Sequence, residues 1–321
     1  MYFFEDLLKE FEAKFTVRHF PDNPSTLYDP AQYILGIGGK RVRPVLCIMG
    51  NELFDSIKPD AWQVASAVEL FHNFTLIHDD IMDQAPLRRG METVHHKYGT
   101  NTAILAGDAM MIMAWEYLRK IDKNSLPAIM ELFNKTALEV SEGQQLDMDF
   151  EKRETVTLDE YREMITLKTS VLLAASLKLG AIIGGAGEGN ATHLYEFGKN
   201  LGIAFQIQDD YLDAFGDPEK FGKQVGGDIL ANKKTFLLIH AMETVKGDDL
   251  KLLETLLHTN PSDKVTAMLG LFKRSGVDEW AMKLKNDYLE KAMDHLEKIA
   301  VQAKRKDPLR QLASFLVQRD Y

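Results

Sequence analysis

Apolar residues recur at helical spacing along almost the whole chain, and no convincing period-two alternation flanked by hairpin turns interrupts them. A chain patterned this way buries itself by packing helix on helix. The spacing predicts helices over roughly 2–18, 27–37, 43–54, 59–84, 101–120, 125–149, 158–166, 169–184, 190–214, 234–245, 248–258, 262–274, 276–304 and 307–318. Breakers fall between these segments, among them Pro21, Pro24, Pro86, Gly99, Gly216, Pro218, Pro261 and Pro308. No linker, low-complexity tract or long charge run divides the 321 residues. The expectation is an all-α fold, one all-helical domain over residues 1–321.

A formal net charge of −10 argues against non-specific nucleic-acid binding, because no phosphate-neutralising surplus exists. A small anionic substrate stays open if basic residues gather locally. Cys47 is the only cysteine, which excludes an intrachain disulfide and a thiolate zinc site and suits a reducing compartment. Residues 1–20 lack the uninterrupted apolar core of a signal peptide, and the most apolar run, 171–185, is broken by Lys178. No run reaches the ~18 apolar residues of a membrane span. The expected chain is cytoplasmic and does not span a membrane.

Within residues 69–90, Leu70, Phe71, Phe74, Ile77 and Ile81 form an apolar helix that then presents Asp79, Asp80 and Asp83. Asp79 and Asp83 are four apart and project together. Like charges at that spacing repel, so a cation between them is expected, and carboxylate oxygens without sulfur suit Mg²⁺ or Mn²⁺. Arg88 and Arg89 follow at loop distance as a phosphate clamp. An exposed acidic helix end with a solvated basic loop would give the same string. A second copy separates these readings: Phe205, Gln206, Asp209, Asp210 and Asp213 repeat the pattern about 130 residues later. Two helices bringing equivalent acids to opposite walls of one cavity are expected.

Further elements surround the acids. Gly38-Gly39-Lys40-Arg41-Val42-Arg43-Pro44 joins two helices, and Lys40 with Arg43 can reach one anion. His72 lies two helical turns before Asp79 and Asp80, and Gln206 one turn before Asp209 and Asp210. Lys168-Thr169 marks a helix junction; Lys223, Gly226-Gly227-Asp228 and Asn232-Lys233-Lys234-Thr235 form a basic loop. Glu69-x-x-His72 and Glu92-x-x-His95 resemble di-iron ligand pairs, but the extra Glu residues such a site needs are not evident. No nucleophile–base pair is present. Acid triplets bridged by divalent metal, with separate basic sets, fit two diphosphates.

These pieces stand in the order and spacing of the trans-isoprenyl diphosphate synthase (polyprenyl synthetase) family, which the chain resembles over most of its length: GGKRVRP, LIHDDIMD with RRG, the KT pair, FQIQDDYLD, and the K…GGD…NKKT loop. The resemblance implies the isoprenoid synthase fold and head-to-tail condensation of an allylic diphosphate with isopentenyl diphosphate. It implies three Mg²⁺, with Mn²⁺ as a substitute, held by Asp79, Asp83 and Asp209 and supported by Asp80, Asp210 and Asp213. Arg88, Lys168, Lys223 and Lys233 would hold the allylic diphosphate, and Lys40, Arg43, His72 and Arg89 the isopentenyl diphosphate. Thr169 and Gln206 would offer oxygen dipoles to the developing cation, and the released diphosphate would take the proton. Phe74 and Phe71, five and eight residues before Asp79, would stop elongation early while Thr75 leaves the fourth position small, which favours a C20 product over C15. The family is usually homodimeric, and residues 103–117 offer an apolar helix for that contact. The alternatives are a class I terpene cyclase, which leaves GGKRVRP and Arg89 unexplained, and a non-catalytic subunit of a heteromeric synthase, which would lack some of these acids or basics.

Overall fold

A computed structural model describes residues 2–216 and 226–317. Helical patterning becomes helix nearly throughout: α1 Phe4–Phe15, α2 Ser25–Gly36, α3 Val42–Glu52, α4 Pro59–Met82, α5 Val94–Tyr98, α6 Thr100–Leu118, α7 Leu126–Lys152, α8 Leu158–Ile165, α9 Val171–Ile183 and α10 Glu188–Phe215. Further helices follow at Gly227–Leu230, Phe236–Thr244, Asp248–His258, Lys264–Arg274, Val277–Glu297 and Asp307–Val317.

Three differences from the sequence reading have local causes. The long helix expected over 276–304 stops at Glu297, because the Ala300 N–H donates to Asn190 Oδ1 at 2.9 Å and not to a helical carbonyl. The expected break near 166–169 is instead a π-helical turn, Thr166–Ser170, that joins α8 to α9. The resulting segment Leu158–Ile183 is long and apolar enough to cross a membrane by length and composition, but 67% of its most apolar window is buried within the protein, as in a core helix. The third difference is a two-strand hairpin, β1 Leu87–Arg88 and β2 Met91–Glu92, whose turn residues Arg89 and Gly90 have φ of 52° and 77°. Two left-handed residues in a two-residue loop are the type I′ geometry that matches strand twist.

The described chain divides into two compact units. One comprises Met1–Lys135, Ala175–Tyr195 and Ile299–Pro308; the other comprises Thr136–Ala174, Glu196–Lys298 and Leu309–Tyr321. In the first, α4 is buried on nearly every side through Ala61, Val64, Ala65, Val68, Leu70, Phe71 and Ile77, the mark of a central helix. α6 buries Ala103, Ala106, Met110, Ala114 and Leu118, whereas Ile104, Leu105, Ile112 and Trp115 on its other side are exposed. α3 and α9 cross backbone to backbone: a Cβ on Gly180 would lie 1.8 Å from the Cys47 carbonyl, and one on Gly50 would lie 2.3 Å from that of Leu177. In the second unit, Phe197, Leu201, Ile207 and Leu212 of α10 pack in a core with Phe236, Ile239, Leu271, Phe272 and Ala281.

The α3–α9 crossing tolerates no side chain at Gly180. Gly180→Ala should lower unfolding free energy by about 1–3 kcal/mol in urea titration, although alanine is the better helix former by about 1 kcal/mol. Gly189→Ala, which meets nothing within 4 Å, is the control and should be neutral or slightly stabilising. Equal stability of the two variants would refute the backbone contact.

Candidate active site

In the first unit the acid triplet occupies the last turn of α4, and its members face differently. Asp80 is 2% exposed and accepts a fork from Arg88, with Nε at 2.9 Å and Nη2 at 2.7 Å. A buried carboxylate is tolerable only with such a partner. Asp79, whose Oδ2 lies 3.9 Å from Arg88 Nη2, is partly exposed, and Asp83 is exposed at the helix end. Asp79 and Asp83, one helical turn apart, are the less buried members of the triplet.

Beside them lies a concentration of positive charge. Arg41 is left-handed (φ 47°), buried and paired with Glu69, and its Nη2 donates to the Leu35 carbonyl at 2.8 Å. Glu69 also accepts from Asn73, so it is occupied by protein partners and is no iron ligand. Glu92 likewise pairs with His96, and His95 Nδ1 lies 3.2 Å from Thr93 Oγ1. Arg43 Nη1 donates to His72 Nε2 at 3.2 Å, which leaves the His72 proton on Nδ1. Burial, opposed by Glu69, brings Arg43 down to about 10, and its buried Nε has no hydrogen-bond partner. Burial and then the charges of Arg43, Arg89, Arg88 and Arg41 hold the His72 ring well below the usual histidine range. The Arg89 guanidinium folds back over Gly39, where a Cβ would lie 2.7 Å from Nη1. Neither Arg43 nor Arg89 has an ion-pair partner among the described residues. Lys40 is exposed nearby in sequence.

The second unit repeats the logic with other partners. Asp210 is 5% exposed and accepts from the Tyr161 hydroxyl and Gln206 Nε2, both at 2.9 Å, and from the Phe236 amide at 3.4 Å. Burial, reinforced by Asp228, pushes it up to about 7 against the pull of Gln206, Lys233 and Tyr161. Because the Gln206 amide nitrogen serves Asp210, its oxygen is the end left for another group. Asp213 Oδ2 accepts the Asp228 amide at 3.0 Å and its carbonyl the Gly226 amide at 2.6 Å, which anchors the start of the basic loop. Asp209 is half-buried. Asp210, Asp213, Asp228, Asn232, Lys233 and Thr235 line one small cavity. Lys223 lies outside the described residues.

Lys168 and Thr169 sit in the π-helical turn. The turn fits because Gly143 of α7 and Gly202 of α10 are bare: a Cβ on the first would lie 2.2 Å from the Lys168 nitrogen, and one on the second 2.8 Å from Ser170. Lys168 Nζ pairs with Asp147 Oδ2 at 2.6 Å. Sequence reasoning missed Asp147; the signal was Gly143-Gln144-x-x-Asp147, one helical turn linking the close-contact glycine to a carboxylate.

The donors suit a hard cation. Among the described residues no three His, Cys, Asp or Glu side chains converge tightly enough to hold an ion by themselves. Mg²⁺ needs only one or two carboxylates, completing its shell with water and substrate phosphate.

A model of the family described as "Polyprenyl synthetase" matches residues 24–271. Geranylgeranyl diphosphate synthase from Methanosarcina mazei is 40% identical over 301 residues, 93% of this chain and 91% of that one. Geranylfarnesyl diphosphate synthase from Natronomonas pharaonis is 36% identical over 318 residues, again 93% and 91%. Among solved structures, a geranylgeranyl pyrophosphate synthetase from Pyrococcus horikoshii superposes with a TM-score of 0.92 at 37% identity, covering 98% of both chains.

The neutral His72 carries a signed consequence. Unfolded, its ring takes up a proton below about pH 6.5, while the folded ring resists, so the unfolded state binds more protons there. Its contribution to stability is complete above that pH and shrinks as pH falls, by at most about 1.4 kcal/mol per unit. His72→Gln should therefore lose less stability than the parent between pH 7 and pH 5 in urea titrations. Identical losses would show that burial and the arginine charges do not hold the folded ring neutral.

Proposed function

From the premise that the chain belongs to the polyprenyl synthetase family, we propose that it condenses an allylic diphosphate with isopentenyl diphosphate, head to tail, and releases an all-trans C20 prenyl diphosphate. The observation that carries this reading is the unneutralised pair Arg43 and Arg89 beside neutral His72, in addition to the acid-motif cations. A cyclase needs no second diphosphate site, and relatives that are themselves synthases leave the non-catalytic reading without support. Because the family match runs through segments of both units, we read residues 1–321 as one catalytic domain.

The reaction breaks the allylic C–O bond, adds the double bond of isopentenyl diphosphate to the resulting cation, and loses a proton. Arg88, Lys168 and Lys233, with Lys223, hold the allylic diphosphate while negative charge grows on it. Lys40, Arg43, His72 and Arg89 hold the isopentenyl diphosphate. By membership of the family, Asp79, Asp83 and Asp209 would hold Mg²⁺, with Asp80, Asp210 and Asp213 supporting them. When bound, Mg²⁺ offsets the charge of the departing diphosphate. The Gln206 oxygen and the Thr169 hydroxyl supply dipoles that favour the cation without quenching it, and the released diphosphate accepts the proton. Phe71 is 1% exposed and edge-on to Phe133, so it backs the stop; Phe74, half-buried and tilted against it, is the stop itself. The lone buried Cys47 supports a reducing, cytoplasmic setting.

Purified chain with Mg²⁺, isopentenyl diphosphate and C5, C10 or C15 primers should yield chiefly C20 on chromatography. Asp79→Ala and Asp209→Ala should each lose three orders of magnitude in turnover, about 4 kcal/mol, with helical content intact. Phe74→Ala should lengthen the product. No condensation with any primer would end the proposal, and an unchanged product length would move the stop elsewhere.

The exposed face of α6, with Ile112 58% and Leu105 58% exposed, supports a homodimer. Ile112→Glu should convert a dimer to monomer in light scattering at micromolar concentration. A parent protein that is already monomeric would exclude it.

A further inference from the structure

Lys264 opens the helix Lys264–Arg274, yet it is only 2% exposed. Burying an ammonium is costly unless it is hydrogen-bonded, and here Nζ donates to Asn232 Oδ1 at 2.8 Å. No carboxylate lies within ion-pair distance of it among the described residues. The Asn232 amide is held at its other end as well: Nδ2 donates to the Leu257 carbonyl at 3.0 Å, in the helix Asp248–His258. Asn232 is left-handed, with φ of 52°. Its side chain is thus fixed between two helices while its backbone turns the loop.

The next residue is Lys233. Its amide donates to the Asp228 carbonyl at 2.9 Å, and its own carbonyl accepts from Thr235 at 2.9 Å. The loop's beginning rests on the same helix, since a Cβ on Gly226 would lie 2.6 Å from Val265 Cγ1. Met268 and Phe272, one and two turns after Lys264, line the cavity that Lys233 lines. Both ends of the loop are therefore set by the first turn of one helix, and an uncompensated positive charge sits behind it.

We propose that Lys264 is a positioning residue for diphosphate binding, acting through Asn232 to place Lys233 and adding buried positive charge beneath the loop. This rests on the assignment of Lys233 to the allylic diphosphate. Lys264→Met removes the charge at similar volume; Asn232→Gly keeps the left-handed backbone and removes both side-chain bonds. Each raises KM for the allylic diphosphate five- to twentyfold and leaves KM for isopentenyl diphosphate within twofold. The double variant is no worse than the worse single one, because both break one link. Calorimetric affinity for an S-thiolo allylic diphosphate, which cannot ionise, falls by the same factor. Lys264→Arg restores part of the loss, which a packing role alone would not produce. The proposal is overturned if Lys264→Met leaves the allylic KM unchanged, if both KM values rise together, or if the two losses multiply. Should Lys264→Met not fold, Asn232→Gly decides by the same criteria. Lys233→Ala tests the underlying assignment separately: an unchanged allylic KM there removes the role of Lys233, whatever Lys264 does.

Discussion

Burying a carboxylate demands a dedicated partner, and that demand shapes both acid motifs. Asp80 is held by the Arg88 fork and Asp210 by Tyr161, Gln206 and a backbone amide. In each triplet the middle acid is the one most deeply buried in its own unit. The same DDxxD string thus holds two kinds of carboxylate: a buried one that clamps the helix end in place and others nearer the surface. The clamps differ in charge. Arg88 brings a full positive charge to Asp80, whereas Asp210 has neutral donors in direct contact and burial pushes it up to about 7.

Close backbone approach is the second recurring device. Gly143 and Gly202 admit the widened turn of Lys168 and Thr169, and Gly180 admits the Cys47 carbonyl. Each glycine works through what it lacks, so each tight contact exists only where a side chain is absent. A π-helical turn is intrinsically poor; held between two bare helix faces and tied by Lys168 to Asp147, it becomes a defined part of the site.

Much of this was legible in the sequence. The acid spacing placed Asp79 and Asp83 on one helix face, and Arg43, His72 and Arg89 do gather in one cluster. The hairpin was not legible, because strands of two residues carry no periodicity; its only trace was Arg-Gly at a turn requiring two left-handed residues. The π turn was read as a helix break, since a polar Thr-x-Lys-Thr between apolar runs looks the same in either case. Arg41 looked like one more surface cation, and only the fold shows it buried on Glu69. Lys264 is a single lysine in an amphipathic stretch, and nothing local distinguishes it from a solvated one.

The hairpin of Arg88 and Arg89 joins two tasks in one short ribbon. Arg88 belongs to a strand and turns to Asp80; Arg89 belongs to the left-handed corner and turns to Gly39. Under the proposed assignment of one to each substrate headgroup, the two affinities would share this single ribbon. Selection for a looser grip on one substrate by moving that ribbon would disturb the other, which leaves side-chain replacement as the route by which the two can drift apart.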